Sequence, residues 1–136
     1  MVHSQSLQDV RAYPAGTVIR VSRGLYDHVA LLGEQQMARE RSVLAFSAEG
    51  DGFVEQPFGA FADGRKVTVD GYPGDLPSTV VLTRARAMQG VKYSWANFNC
   101  EHFVRQAHGV PVKSPQLHQW AFLGGLIGLL TLAGRA

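Results

Sequence analysis

The hydrophobic period of the chain changes once, and this change restricts the fold more than any other feature. Up to about residue 72, apolar residues alternate in short segments separated by glycine and proline, which is typical of β-strands. After Pro77 they recur at helical spacing. Strands followed by helices predict an α+β domain, because a wound parallel sheet would need the two to alternate.

The pattern predicts an antiparallel sheet of about five short strands. We place these strands at residues 17–22, 28–32, 42–47, 53–56 and 65–72. Gly33 is expected to end the second strand, and polar residues 34–41 to form a connection. We predict a helical turn at 58–62, a helix at 78–89 capped by Ser78, and a helix from Asn99 to about His108 that Gly109 ends.

Length and composition favour one domain, and 136 residues fit that size. We divide the chain into an N-terminal tail (1–13), a catalytic domain (14–116) and an apolar C-terminal helix (117–136). The net charge of +2 comes from scattered basic residues, which argues against a nucleic-acid partner. A single cysteine and a polar start without a secretory signal favour the cytoplasm.

Residues 120–134 form an uncharged apolar run, WAFLGGLIGLLTLAG. As a helix it would span roughly 22 Å, whereas a bilayer core is about 30 Å thick. Three interpretations stay open: a segment that associates with a membrane surface, a helix packed on the domain or on a second copy, and a buried core helix. The sequence does not determine the oligomeric state.

The cysteine lies where a reactive thiol is often found. Asn99 is a good N-cap, so Cys100 falls in the first turn of a helix, where free N–H groups and the helix dipole favour thiolate and lower its pKa. The N–H groups around Asn99, Cys100 and Glu101 can also hold an oxyanion. The alternative is that Cys100 is a small buried hydrophobic residue.

A catalytic thiol needs a base. His28 opens an apolar strand, where an imidazole has little structural purpose, and it is the best candidate of the five histidines. His102 lies two residues beyond the thiol, which turns it away around the helix, so we interpret it as a capping or packing residue. The alternative for His28 is a core histidine satisfied by a backbone carbonyl.

The segment NCEHFV at 99–104 resembles the cysteine motif of the lecithin:retinol acyltransferase family, which includes the small phospholipase A/acyltransferases. DHVALLG at 27–33 matches the family's histidine strand, with Gly33 in the expected place, and SPQ at 114–116 is also similar. The resemblance covers about 14–116. It implies a circularly permuted NlpC/P60 (papain-like) fold with Cys100 as nucleophile and His28 as base.

One position departs from the family pattern. A second histidine usually lies on the next strand, where it orients the base, and here Ala45 stands in its place. Losing an orienting group can cost orders of magnitude in rate. Ser47, two residues further on the same strand face, is the possible substitute.

The resemblance therefore implies an acyltransferase or lipid hydrolase. Cys100 would form a thioester with an acyl group from a lipid ester, such as a phospholipid, without a metal or organic cofactor. The partners would be this lipid or another acyl ester, and a membrane surface reached through 120–134. Two alternatives stay open: a cysteine peptidase or amidase like other NlpC/P60 proteins, and a degenerate binding or scaffold module that has lost catalysis through Ala45.

Overall fold

The computed structural model describes residues 10–111. Its strands are β1 (Val18–Ser22), β2 (Asp27–Met37), β3 (Glu40–Ser47), β4 (Gly52–Pro57) and β5 (Val67–Gly71). Its helices are α1 (Phe58–Ala62), α2 (Ser78–Arg86) and α3 (Cys100–His108). All neighbouring strands are antiparallel, in the order β4-β3-β2-β1-β5. The predicted α+β class and the five-stranded antiparallel sheet are confirmed.

The β2–β3 hairpin is longer than the sequence predicts. Gly33 does not end β2, which continues to Met37, and the chain turns at Ala38 and Arg39, both at positive φ. The polar residues extend the strands because an exposed hairpin end requires only main-chain pairing. Gly33 is needed instead for close approach, since a Cβ there would lie 2.2 Å from the Ser42 hydroxyl.

The sheet has a helix-packed cluster on each face. The cluster beneath α2 and α3 includes Val29, Leu31 and Phe46, whereas the cluster beneath α1 includes Ala30, Leu32 and Ala45. Successive residues of β2 thus point to opposite faces, as pleating requires. This alternation decides which face receives each candidate site residue.

The helix termini confirm some predicted caps and correct others. α2 begins after Pro77, with no side-chain cap, so Ser78 is not the N-cap, and it ends at Arg86. α3 begins after Asn99 and ends at Gly109 in the left-handed conformation, as predicted. Within residues 10–111 no helix is long and apolar enough to cross a membrane. The apolar helix predicted at 117–136, the segment 114–116 and most of the N-terminal tail lie outside the described residues.

Candidate active site

The start of α3 is fixed by reciprocal capping. The Asn99 side-chain oxygen accepts hydrogen bonds from the backbone N–H groups of Glu101 (3.0 Å) and His102 (3.3 Å). The His102 ring accepts one from the Asn99 N–H at 3.2 Å. His102 therefore takes the part that Glu has in a capping box. The sequence predicts that the Glu101 N–H can bind an oxyanion. The cap already uses this group, so it is not free to do so.

Cys100 is the first residue of α3, and only 8% of its surface is exposed. Its sulfur lies 4.0 Å from the Asp27 carbonyl oxygen, and the Val29 N–H is among the groups that favour its thiolate. The thiol thus lies against the β2 main chain on both sides of His28. Burial raises the pKa of Cys100, although the Val29 N–H acts in the opposite direction. The prediction of a lowered thiol pKa is therefore wrong.

The His28 imidazole lies on the other side of its strand. Its ring centroid is 5.4 Å from that of Phe61, which belongs to the cluster beneath α1. Burial, with a smaller effect of Arg23, lowers the pKa of His28 to about 4, so the ring is neutral at pH 7. No hydrogen bond joins it to Cys100, although the structure describes both residues. The structure brings the thiol to the His28 main chain but not to its ring.

A small cavity opens at this end of the sheet and reaches His28. Its lining consists of Arg23, Tyr26, His28, Ser47, Ala48, Glu49 and Tyr93. Tyr93 is one of these lining residues; burial raises its pKa to about 12, and the charge of a Cys100 thiolate acts in the same direction. The imidazole and a neutral phenol therefore line the same cavity, and the thiol lies against the main chain at the start of β2.

Ser47 and Ala45 share the sheet face of His28. Ala45 pairs with Ala30, and the same antiparallel register places Ser47 across from residue 28. Ser47 lines the cavity with His28, but its hydroxyl accepts a hydrogen bond from the Gly50 N–H at 3.1 Å. Ala45 is fully buried in the cluster that contains Phe58 and Phe61. Ser47 is thus better placed than Ala45 to contact the ring.

An ion-paired arginine near the thiol was not found by sequence reasoning. Arg20 binds Asp70 at 2.6 Å and Asp27 at 3.2 Å. Its charge favours the Cys100 thiolate, whereas that of Glu101 opposes it. Arg20 alternates with apolar residues in β1, and this pattern predicts a polar strand position without indicating proximity to Cys100.

Most of the described chain matches one family of known proteins. The sequence model of a family described as "Lecithin retinol acyltransferase" matches residues 11–109, which include both Cys100 and His28 and more than half of the chain. No individual curated protein matches the chain.

Proposed function

Because this chain belongs to the lecithin retinol acyltransferase family, we propose that it transfers acyl groups through a thioester on Cys100, with His28 as base. One observation carries the proposal: the thiol begins a capped helix and lies against the β2 main chain at His28. Family membership favours a lipid ester as the acyl donor. The permuted NlpC/P60 fold and the domain limits 14–116 belong to the same proposal.

The charge state of the site favours general-base catalysis over a preformed ion pair. Burial raises the pKa of Cys100 and lowers that of His28, so thiol and imidazole both rest neutral. His28 would accept the thiol proton as the sulfur attacks the ester carbonyl. The imidazolium would then return this proton to the leaving alcohol, and the C–O bond would break to give the thioester. An incoming alcohol, amine or water would take the acyl group with the proton flow reversed.

This mechanism requires the imidazole to turn from Phe61 towards the thiol. Catalytic contacts are often long or misaligned before substrate binds, so the resting separation is compatible with the proposal. Because the ring and the thiol lie on opposite faces of β2, this movement would have to include the main chain at the start of the strand as well as the side chain. Ser47, across from residue 28 and in the lining of the same cavity, is the group that we propose orients the ring.

Intact-mass analysis tests the proposal directly. The full chain is incubated with a short-chain phospholipid or with an activated acyl ester such as p-nitrophenyl hexanoate. We expect one acyl adduct on wild-type protein and none on Cys100→Ser. Since Cys100 is the only cysteine, the assignment is direct. His28→Ala should slow acylation by about 10²–10⁴-fold. Equal acylation rates in wild type and His28→Ala would contradict the role of His28.

A binding module without catalysis is the second candidate. It is favoured by the separation of ring and thiol and by an alanine at position 45, on the face of the imidazole. A folded protein that binds phospholipid but forms no adduct with either ester would establish this alternative. A peptide amide in the same assay tests for peptidase activity, for which we expect no adduct.

Residues 120–134 are our proposed membrane-associating segment, on the basis of their sequence alone. Flotation with phosphatidylcholine vesicles, comparing the full chain with a chain that ends at Gln116, tests this. Loss of flotation by a truncated chain that stays folded supports the proposal, and equal flotation contradicts it.

A further inference from the structure

Arg20 links three neighbouring strands at the end of the sheet where the thiol lies. It belongs to β1 and binds both carboxylate oxygens of Asp70 on β5, at Nε–O distances of 2.9 and 3.0 Å and an Nη2–O distance of 2.6 Å. Its Nη1 donates at 3.2 Å to the carboxylate of Asp27, the first residue of β2. The paired bonds with Asp70 fix the plane of the guanidinium, and the remaining Nη1 donor binds Asp27.

The bond between Arg20 and Asp27 lies on the thiol face of the sheet. Arg20 is paired with Val29 across β1 and β2, and opposed residues of an antiparallel pair share a face. Val29 and Cys100 belong to the same cluster, and Asp27 lies two positions before Val29 on the strand. Asp27 therefore occupies the thiol face, whereas His28, the next residue, points to the opposite face.

Asp27 occupies the place at the sulfur that the proposed base needs. Its main-chain carbonyl oxygen is the acceptor 4.0 Å from the Cys100 sulfur, while its side chain is held by Arg20. Because successive residues of a strand point to opposite faces, His28 does not face the thiol as long as Asp27 does. Turning His28 towards the thiol therefore requires that Asp27 release Arg20.

We propose that Arg20 is a positioning residue that holds Asp27 on the thiol face of β2 and so keeps His28 against Phe61 in the resting protein. This proposal rests on the proposed function, since it describes how the base of that reaction is withheld and released. The side chains of Arg20 and Asp27 are 32% and 49% exposed, and an exposed ion pair contributes little to stability. The contact can therefore open without unfolding of the domain.

Acylation kinetics with p-nitrophenyl hexanoate test whether Arg20 acts on the base. Breaking the ion pair in Arg20→Gln or Asp27→Ala should accelerate acylation of Cys100 about fivefold, or about 1 kcal/mol, because His28 then turns more readily. A contact that only stabilises the fold would not accelerate the reaction when it is removed. In the His28→Ala background, Asp27→Ala should give no acceleration. A gain that persists without His28, or no gain with it, would overturn the proposal.

Glu34 on the same strand provides the matched control. It binds Arg86, which also holds two carboxylates, and its side chain is 43% exposed. Glu34→Ala thus removes a comparable ion pair from β2, away from the start of the strand. It should leave the acylation rate unchanged. An equal acceleration in Glu34→Ala and Asp27→Ala would show that the effect does not come from Arg20.

Hydrogen exchange separates this proposal from the proposed function, because it needs no acyl transfer. The peptide that contains residues 27–29 should exchange its amide hydrogens about fivefold faster in Asp27→Ala than in wild type, and at the wild-type rate in Glu34→Ala. Faster exchange without any acyl adduct on the wild-type protein would refute the proposed function and support the role of Arg20. Unchanged exchange in a protein that does form the adduct would overturn that role alone.

Discussion

At the scale of single residues, the sequence identifies Cys100 and His28 but not how their side chains face each other. Strand alternation alone groups residue 28 with Ala30 and Leu32, and the structure places these two on the α1 side. Which face α3 covers depends on tertiary packing, which no local pattern encodes. The burial that raises the pKa of Cys100 has the same tertiary origin.

The raised pKa of Cys100 predicts slow alkylation. Burial disfavours thiolate, and His28 does not contact the sulfur, so iodoacetamide should modify native Cys100 more slowly than the unfolded protein at pH 8. His28→Ala should change the alkylation rate of native Cys100 by no more than about twofold, although it should slow acylation. The rates are measured by mass spectrometry, with the urea-unfolded chain as reference. Rapid alkylation at pH 6 that depends on His28 would instead indicate a preformed thiolate–imidazolium pair.

Ala45 and Ser47 should respond differently to substitution. Ala45 is fully buried between strands and packs with Phe58 and Phe61, so Ala45→His should reduce the free energy of unfolding by about 1–3 kcal/mol through overpacking. Urea unfolding measures this loss. Ser47→Ala should slow acylation more than it destabilises the fold. An active, fully stable Ala45→His protein would show that the cluster has room for the family's second histidine.

At the scale of elements, alternation and turn residues predict the strands and the cap of α3 correctly. They underestimate β2 and β3, because polar residues at a hairpin end pair through their main chain and leave no hydrophobic pattern. Arg86 bridges Glu34 on β2 and Glu55 on β4, and helical spacing in the sequence does not indicate this. Ion pairs between distant elements depend on the tertiary arrangement, and the sequence alone could not provide them.

The capping of α3 should affect stability and thiol position together. Asn99→Ala removes the side-chain acceptor for two N–H groups and should reduce the free energy of unfolding by about 1–2 kcal/mol. Asn99→Asp retains an acceptor and is the matched control. We also expect slower acylation in Asn99→Ala, because the same turn positions Cys100. Urea unfolding and intact-mass kinetics measure the two effects, and unchanged values in both would contradict the role of the cap.

At the scale of the whole molecule, the sheet separates the site into two halves. Cys100 belongs to the cluster beneath α2 and α3, and His28 contacts the cluster beneath α1. At the start of β2, His28 lines the cavity and the thiol lies against the neighbouring main chain at Asp27. Activity should therefore depend on the packing of both sheet faces, although α2 and α3 cover one face and α1 covers the other.

This arrangement predicts that acid weakens the fold through His28. The imidazole titrates near 6.5 when unfolded, whereas burial lowers its pKa to about 4 in the folded chain. Between these values the unfolded state binds the extra proton, so stability is lost as the pH falls from about 6.5 to 4, at about 1.4 kcal/mol per pH unit. The full loss approaches roughly 3 kcal/mol below pH 4.

Urea unfolding of wild type and His28→Asn from pH 8 to 4 isolates this contribution, since other groups titrate equally in both. The stability advantage of wild type over the variant should shrink across this range. A constant difference would mean that the folded ring titrates normally, and that its position against Phe61 is exposed to water.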